Sequence, residues 1–362
     1  MGVRAHSRPG LGNHRPVPDL TALPWPLPWS VAVFVLAGAA TVAGSIRLAG
    51  LGDALADRTG WGEALFGVVF FGIVTSLSGI IMTIVAAGSG EASLGYSNAV
   101  GGIAAQTTAV AVADAFHRRA NLEHAAASLS NLLSGCLLVA LLALALLASY
   151  IPETAVAGID PMSAVLVAAY AGGLTLIRRA GAQPMWQAIA TAETRPDVPH
   201  DDNALNRRPP AWLWSQFAVV GLTVAGGGWL VALAAGSIIA TTGLTAGFVG
   251  GVLMGIVNAL PETVTAIAAV RRGAVTLAIA AVLGGNSLDV LALVAGDLAY
   301  RHGSIYHSAG NEELLATTTS LFMTATLLGG LLIRQTCGWG RLGFEGVLLL
   351  ASYAAMIAIL AW

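Results

Sequence analysis

The chain has 362 residues, 56% of them hydrophobic and only 10% charged, with a mean hydropathy of +0.76 and a formal net charge of −2. Soluble domains carry roughly 25% charged residues, so the composition excludes a soluble globular protein and points to an all-α polytopic membrane protein. Neither nucleic acid nor nucleotide is expected as a partner; the lipid bilayer is.

Residues 1–28 contain Arg, His and Pro without an apolar core, and read as a disordered tail rather than a cleaved signal peptide. A helix needs about 20 mostly apolar residues to cross a bilayer. Segments of that kind fall at 29–50, 64–86, 97–116, 125–149, 161–177, 212–235, 245–270, 275–299, 314–333 and 342–362. Ten transmembrane helices are therefore expected. Blocks such as "LLVALLALALLA" lack the alternating polarity of a membrane β-barrel.

All 17 basic side chains are arginines. With the N-terminus outside, only Arg4, Arg8, Arg15 and Arg301 lie outside and the other arginines face the cytoplasm. The positive-inside rule thus predicts a multi-pass cell-membrane protein with both termini outside. Cys136 and Cys337 offer no disulfide framework, and the histidines fall in loops or the tail, where solvated roles are expected.

A constant offset of 183 residues aligns 67–114 with 250–297 without a gap. Gly72-Ile73-Val74 falls on Gly255-Ile256-Val257, Gly101-Gly102 on Gly284-Gly285, and Asp114 on Asp297. The polar, Pro-containing stretch 178–211 separates a first five-helix repeat, 29–177, from a second, 212–362. An odd number of spans in each half makes the halves cross in opposite senses, the inverted-repeat design of many secondary transporters.

Each half concentrates polar residues on its second and third spans: "VTSLSG" (74–79) and "GGIAAQ" (101–106), then "VNALPE" (257–262) and "GGNSLD" (284–289). Carboxylates at bilayer depth are costly and persist where they have a use. Two occur here, Glu262 and Asp289, opposite Gly79 and Gln106 in the first half. A hard cation leaving water needs oxygens in place of its hydration shell. Thr75, Ser76, Gln106, Asn258, Glu262 and Asp289 can supply them. Pro261 is expected to kink its helix and free a carbonyl, and the Gly-Gly pairs permit close helix approach. Asp114 and Asp297, at equivalent helix ends, are expected to cap or sit at the interface, and Glu345 to pair locally with Arg341.

These motifs resemble the calcium/cation antiporter superfamily, best known through the sodium/calcium exchangers. Its repeats carry a "GTSLPE" type motif followed by "GNxxGSN" and a polar or acidic residue. Gly255, Leu260, Pro261 and Glu262 match the first motif, and Gly284, Asn286 and Asp289 the second; the first half matches through Thr75, Ser76, Leu77, Asn98 and Gly101. The resemblance implies Glu262 as principal cation ligand, Asp289 as auxiliary metal ligand, and Asn258, Thr75, Ser76 and Gln106 as polar lining. It departs at Gly79 and Ser78, where the family has Glu and Pro. A cation antiporter follows, exchanging Ca2+ or a related inorganic cation for Na+ or H+, with no resident cofactor and no enzymatic activity. Two carboxylates neutralise one divalent cation, and a buried Glu262 can trade a proton for it. The alternative is a degenerate, non-transporting membrane protein of the same fold with a regulatory or structural role.

Overall fold

The computed structural model describes residues 24–59, 76–116, 121–154, 158–182, 184–189, 205, 208–272, 275–336, 338 and 342–362. Its regular elements are helices: α1 (Leu27–Thr59), α2 (Leu77–Gly88), α3 (Ala92–Phe116), α4 (Leu122–Ala126), α5 (Leu129–Ala148), α6 (Pro161–Ala182), α7 (Pro210–Thr242), α8 (Ala246–Phe248), a π-helical stretch Val249–Met254, α9 (Gly255–Arg272), α10 (Val275–Ala299), α11 (Asn311–Ile333) and α12 (Phe344–Leu360).

Local chemistry sets several of the ends. Pro210 opens α7, and Gly243, at φ 73°, closes it by donating its N–H to Ile239 O. Ser128 starts α5 by accepting the Asn131 N–H at 3.1 Å. The expected span 125–149 is therefore interrupted at Ala127–Ser128, which separates α4 from α5. The α9 helix runs without a break through Pro261. Proline has no N–H to give, so the Val257 carbonyl loses its usual helical donor.

Seven of the described helical segments are long and apolar enough to cross a membrane, and Leu77–Gly88 and Phe344–Leu360 are shorter apolar helices. The α3 helix has the length but is not among the seven. It carries Ser93, Tyr96, Ser97, Asn98, Gln106, Thr107 and Thr108, nearly all buried. A helix surrounded by protein does not need lipid solubility, so its polar side chains are tolerated where others can bond them. At the periphery the pattern reverses: Trp29, Val35, Leu36, Leu147, Leu176, Leu222 and Ile359 point outward. So much exposed apolar surface is unstable in water and natural against lipid tails.

The α3 helix packs against α2, α9, the π-helical stretch, α10, α11 and α12, while α1 and α7 pair along one side. One large apolar core joins α3, α5, α6, α9, α10, α11 and α12 through residues such as Ile103, Leu141, Leu283, Met323 and Leu349. A second core joins Met82, Val231, Val249 and Met254, and a third holds α1 to α7 through Leu48, Leu51 and Val224. Glycine sets the tightest crossing. A side chain at Gly101 would run into the Gly251 backbone, and one at Gly255 would meet Gly101 C at 2.9 Å and Gly102 N at 3.0 Å. The paired glycines thus let α3 reach α9 and the π-helical stretch backbone to backbone.

Candidate cation site

Packing of α2, α3, α9 and α10 against one another brings the polar clusters to one place. Glu262 of α9 and Asp289 of α10 are 2% and 1% exposed, while Ser76, Gln106, Asn258 and Asn286 are fully buried. Asp289 Oδ2 accepts the Gln106 Nε2–H at 2.7 Å and the Asn258 Nδ2–H at 3.2 Å. Gln106 and Asp289 are the residues that the offset of 183 places in register, so two aligned positions bond each other. Ser76 Oγ, at the start of α2, donates to Gly285 O at 3.5 Å, joining α2 to α10. Asn286 donates to Thr107 Oγ1 at 2.9 Å, which holds α10 against α3.

What these bonds leave over defines the site. Both Glu262 carboxylate oxygens, Asp289 Oδ1, Gln106 Oε1, Asn258 Oδ1 and Asn286 Oδ1 are buried without a hydrogen-bond partner. Burying an unpaired polar group costs about 1–3 kcal/mol, and more when it is charged. The amide nitrogens of Gln106 and Asn258 each donate one hydrogen bond to Asp289, and their carbonyl oxygens are left as unpartnered acceptors. Two carboxylates with amide and hydroxyl oxygens form a hard donor set that suits a hard cation. No group of three or more His, Cys, Asp or Glu positioned for a metal occurs among the described residues, so the set lacks the nitrogen and sulfur ligands of a zinc or copper centre.

Among the described residues, the earlier of the two aligned stretches contributes an amide and a hydroxyl to this set but no carboxylate. Gly79 stands where the repeat would place the counterpart of Glu262, and a Cβ there would strike the Asn258 side chain, with Cγ and Nδ2 both at 2.7 Å. A Cβ at Gly102 would meet Asn258 Cγ at 3.4 Å. The α9 amide therefore fills the space beside α2 and α3 that a first-half side chain would need. Gly79→Ala is expected to destabilise by about 1–3 kcal/mol through overpacking. Asn258→Ala added to it should recover part of that loss, with a coupling of about 0.5–3 kcal/mol in a double-mutant cycle of thermal unfolding.

Of the six residues expected from the sequence, Ser76, Gln106, Asn258, Glu262 and Asp289 are described and lie together in this buried region; Thr75 lies outside the described residues. Asn286, noted in the sequence only as a motif match, adds an unpartnered buried oxygen on α10. Its signal was its place inside "GGNSLD", one turn from Asp289. Asp114 accepts the Leu122 N–H at the start of α4 at 2.6 Å, and Asp297 accepts the Ile305 N–H of a turn at 3.2 Å. For Glu345, the expected partner Arg341 lies outside the described residues, and the Glu345 carboxylate, 1% exposed, accepts no hydrogen bond.

The family model described as "Sodium/calcium exchanger protein" matches residues 29–190 and 212–362, most of the chain. The chain belongs to the sodium/calcium exchanger family. Exchanger-family proteins are transporters. One relative, the sodium/calcium exchanger MaX1 of Methanosarcina acetivorans, is 30% identical over 112 residues, covering 31% of this chain and 30% of that protein. The alignment thus spans under a third of the relative's length. The solved structure of the H+/Ca2+ exchanger CAX matches with a TM-score of 0.67 at 13% identity, over 91% of this chain and 85% of that one. Native YfkE matches at 0.61 with 15% identity, over 92% and 96%. The sodium-calcium exchanger NCX_Mj matches at 0.52 with 18% identity, over 92% and 99%. At these identities the structures establish the shared exchanger fold.

Proposed function

We propose that this exchanger-family protein is a secondary antiporter that moves Ca2+ or a related cation in exchange for Na+ or H+ by alternating access. One observation carries the reading: buried, donor-free oxygens from Glu262, Asp289, Gln106 and Asn258 gather on the helices of both halves. Unpaired carboxylates in a low-dielectric interior are stabilised by a cation or a proton, and by little else within reach. Two carboxylates balance one divalent cation, and both can instead be protonated, so the same oxygens serve cargo and counter-ion in turn. The names of the relatives, one a sodium/calcium and one an H+/Ca2+ exchanger, support both coupling ions.

The bond between register-equivalent Gln106 and Asp289 supports two inverted five-helix repeats, 29–177 and 212–362, with the site on the axis between them. The N-terminal tail, 1–28, and the linker, 178–211, then lie outside the transport core. Both termini face outward by the arginine distribution, which puts the linker in the cytoplasm. No resident cofactor takes part in this scheme, and the ions are cargo.

The crowding of Gly79 by Asn258 favours a second reading, in which the site has lost transport and the protein serves a regulatory or structural role in the membrane. Radioactive Ca2+ uptake into proteoliposomes separates the two. Under the antiport reading, uptake follows an imposed Na+ or H+ gradient, and the effective gradient identifies the counter-ion. Folded protein that responds to neither gradient, for Ca2+ or competing divalent cations, leaves the second reading standing.

A further inference from the structure

A second group of acidic side chains lies at the C-terminal end of α3, on residues the cation site does not use. The offset of 183 pairs Asp114 with Asp297, Leu122 with Ile305 and Glu123 with Tyr306. Around Asp297 the network is complete. Asp297 Oδ2 accepts the Asp160 N–H and the Ser163 hydroxyl, both at 2.8 Å, and the Tyr306 hydroxyl lies 2.9 Å from Ser163 Oγ. Around Asp114 the backbone bond from Leu122 repeats the one from Ile305. Where Tyr306 brings a hydroxyl, however, Glu123 brings a carboxyl, and from the start of α12 comes Glu345 rather than another donor.

Glu123 and Glu345 are each 1% exposed, interact with one another, and neither carboxyl accepts a hydrogen bond from a described residue. Glu345 is enclosed: a Cβ at Gly330 of α11 would meet its Cγ at 2.6 Å, and a Cβ at Gly343 would meet its Cδ at 2.5 Å. Among the described residues, the arginine of this region is engaged elsewhere. Arg334 at the end of α11 donates from Nη2 to His124 O at 2.8 Å, and His124 Nδ1 lies 2.9 Å from Arg334 O. Asp114 adds a third acidic group facing Glu123. Among the described residues, then, two buried carboxyls face each other with no cation or donor between them. Carboxyl groups so placed cannot both ionise without strong repulsion.

We propose that Glu123 and Glu345 form a proton-binding site, a carboxyl pair sharing one proton that fastens α4 to α12 and responds to pH on the face assigned by the arginines to the cytoplasm. With the proton bound, one carboxyl donates to the other and the helices stay joined. Once it leaves, two carboxylates repel across the contact and that end of α3 loosens. Burial pushes the Glu123 carboxyl well above the usual carboxylate range, and the Asp114 and Glu345 carboxylates push it further. The inference stands apart from the transport reading, because it concerns residues that reading does not use.

A group with a raised folded-state pKa contributes stability that is present at low pH and lost as pH rises through that value. Thermal unfolding of the full chain in detergent is therefore followed from about pH 5 to about pH 9. The wild-type Tm is expected to fall by several degrees across the window. In Glu123→Gln and Glu345→Gln, whose amide still donates to the remaining carboxylate, the fall should flatten. Infrared spectra should show a protonated-carboxyl band that titrates with the wild-type Tm and is missing from both variants. A pH slope and band unchanged in the variants would overturn the proposal. If a variant does not fold, the wild-type infrared titration decides: with no carboxyl band disappearing inside the window, the shared proton is absent.

Discussion

Glu262→Gln is expected to abolish gradient-driven cation exchange while leaving a folded protein. The substitution keeps the shape of the side chain and removes its charge, and neither Glu262 oxygen bonds another group that would be stranded. Asp289 keeps its bonds from Gln106 and Asn258, so the polar frame survives. What disappears is one of the two charges available to a desolvated cation. Truncating one partner of a buried charge pair costs about 2–5 kcal/mol of affinity, which is roughly 30-fold or more. Initial rates of radioactive Ca2+ uptake should fall at least that far. Thermal stability without cation should hold or rise, since the variant no longer keeps two acidic groups close in a buried site. Uptake near the wild-type rate would place the transported cation elsewhere.

Gly101→Ala is expected to have the largest effect on stability. Alanine ordinarily gains about 1 kcal/mol over glycine inside a helix. Here its Cβ meets the backbone of Gly251, which cannot rotate aside as the end of a long side chain would. Overpacking typically costs about 1–3 kcal/mol and occasionally more, and a clash with backbone belongs at the upper end. The α3 helix must then move off the π-helical stretch and α9, carrying Gln106 away from Asp289, so cation binding should weaken along with folding. Unfolding curves in detergent check the first effect and cation-dependent shifts in Tm the second. Gly226→Ala in α7 is the control: no described residue lies within 4 Å of the added carbon, and the change should be neutral or stabilising.

The two substitutions probe different layers of one construction. Glycines on α3, α9 and the π-helical stretch permit backbone contact, and that contact carries the amides of Gln106 and Asn258 to Asp289. Those amides each donate one hydrogen bond to the same carboxylate oxygen and present their own oxygens to the remaining space. Glu262 supplies the second charge with no donor to neutralise it.

Much of this was legible in the sequence because the membrane makes polarity expensive. A carboxylate in "VNALPETV" or "GGNSLD" stands out against its apolar neighbours, and the 183-residue register showed that Gln106 and Asp289 occupy equivalent positions. The same register linked Asp114 to Asp297, each of which accepts a backbone N–H from the residue eight positions on. Hydropathy was least informative for α3, whose surroundings are protein rather than lipid, and for α4, where a serine cap interrupts an apolar run.

By itself the sequence determined that the chain is helical and membrane-embedded, and it singled out the scarce polar residues that are candidates for a cation, since both follow from local composition against the cost of burial. Only the tertiary structure decided how those residues divide their bonds. Asn258 occupies the space beside Gly79, Asp289 gathers two amide donors while Glu262 has none, and Glu345 meets Glu123. Such pairings depend on helix crossings set by contacts hundreds of residues apart, and no local pattern encodes which side chain reaches a partner first.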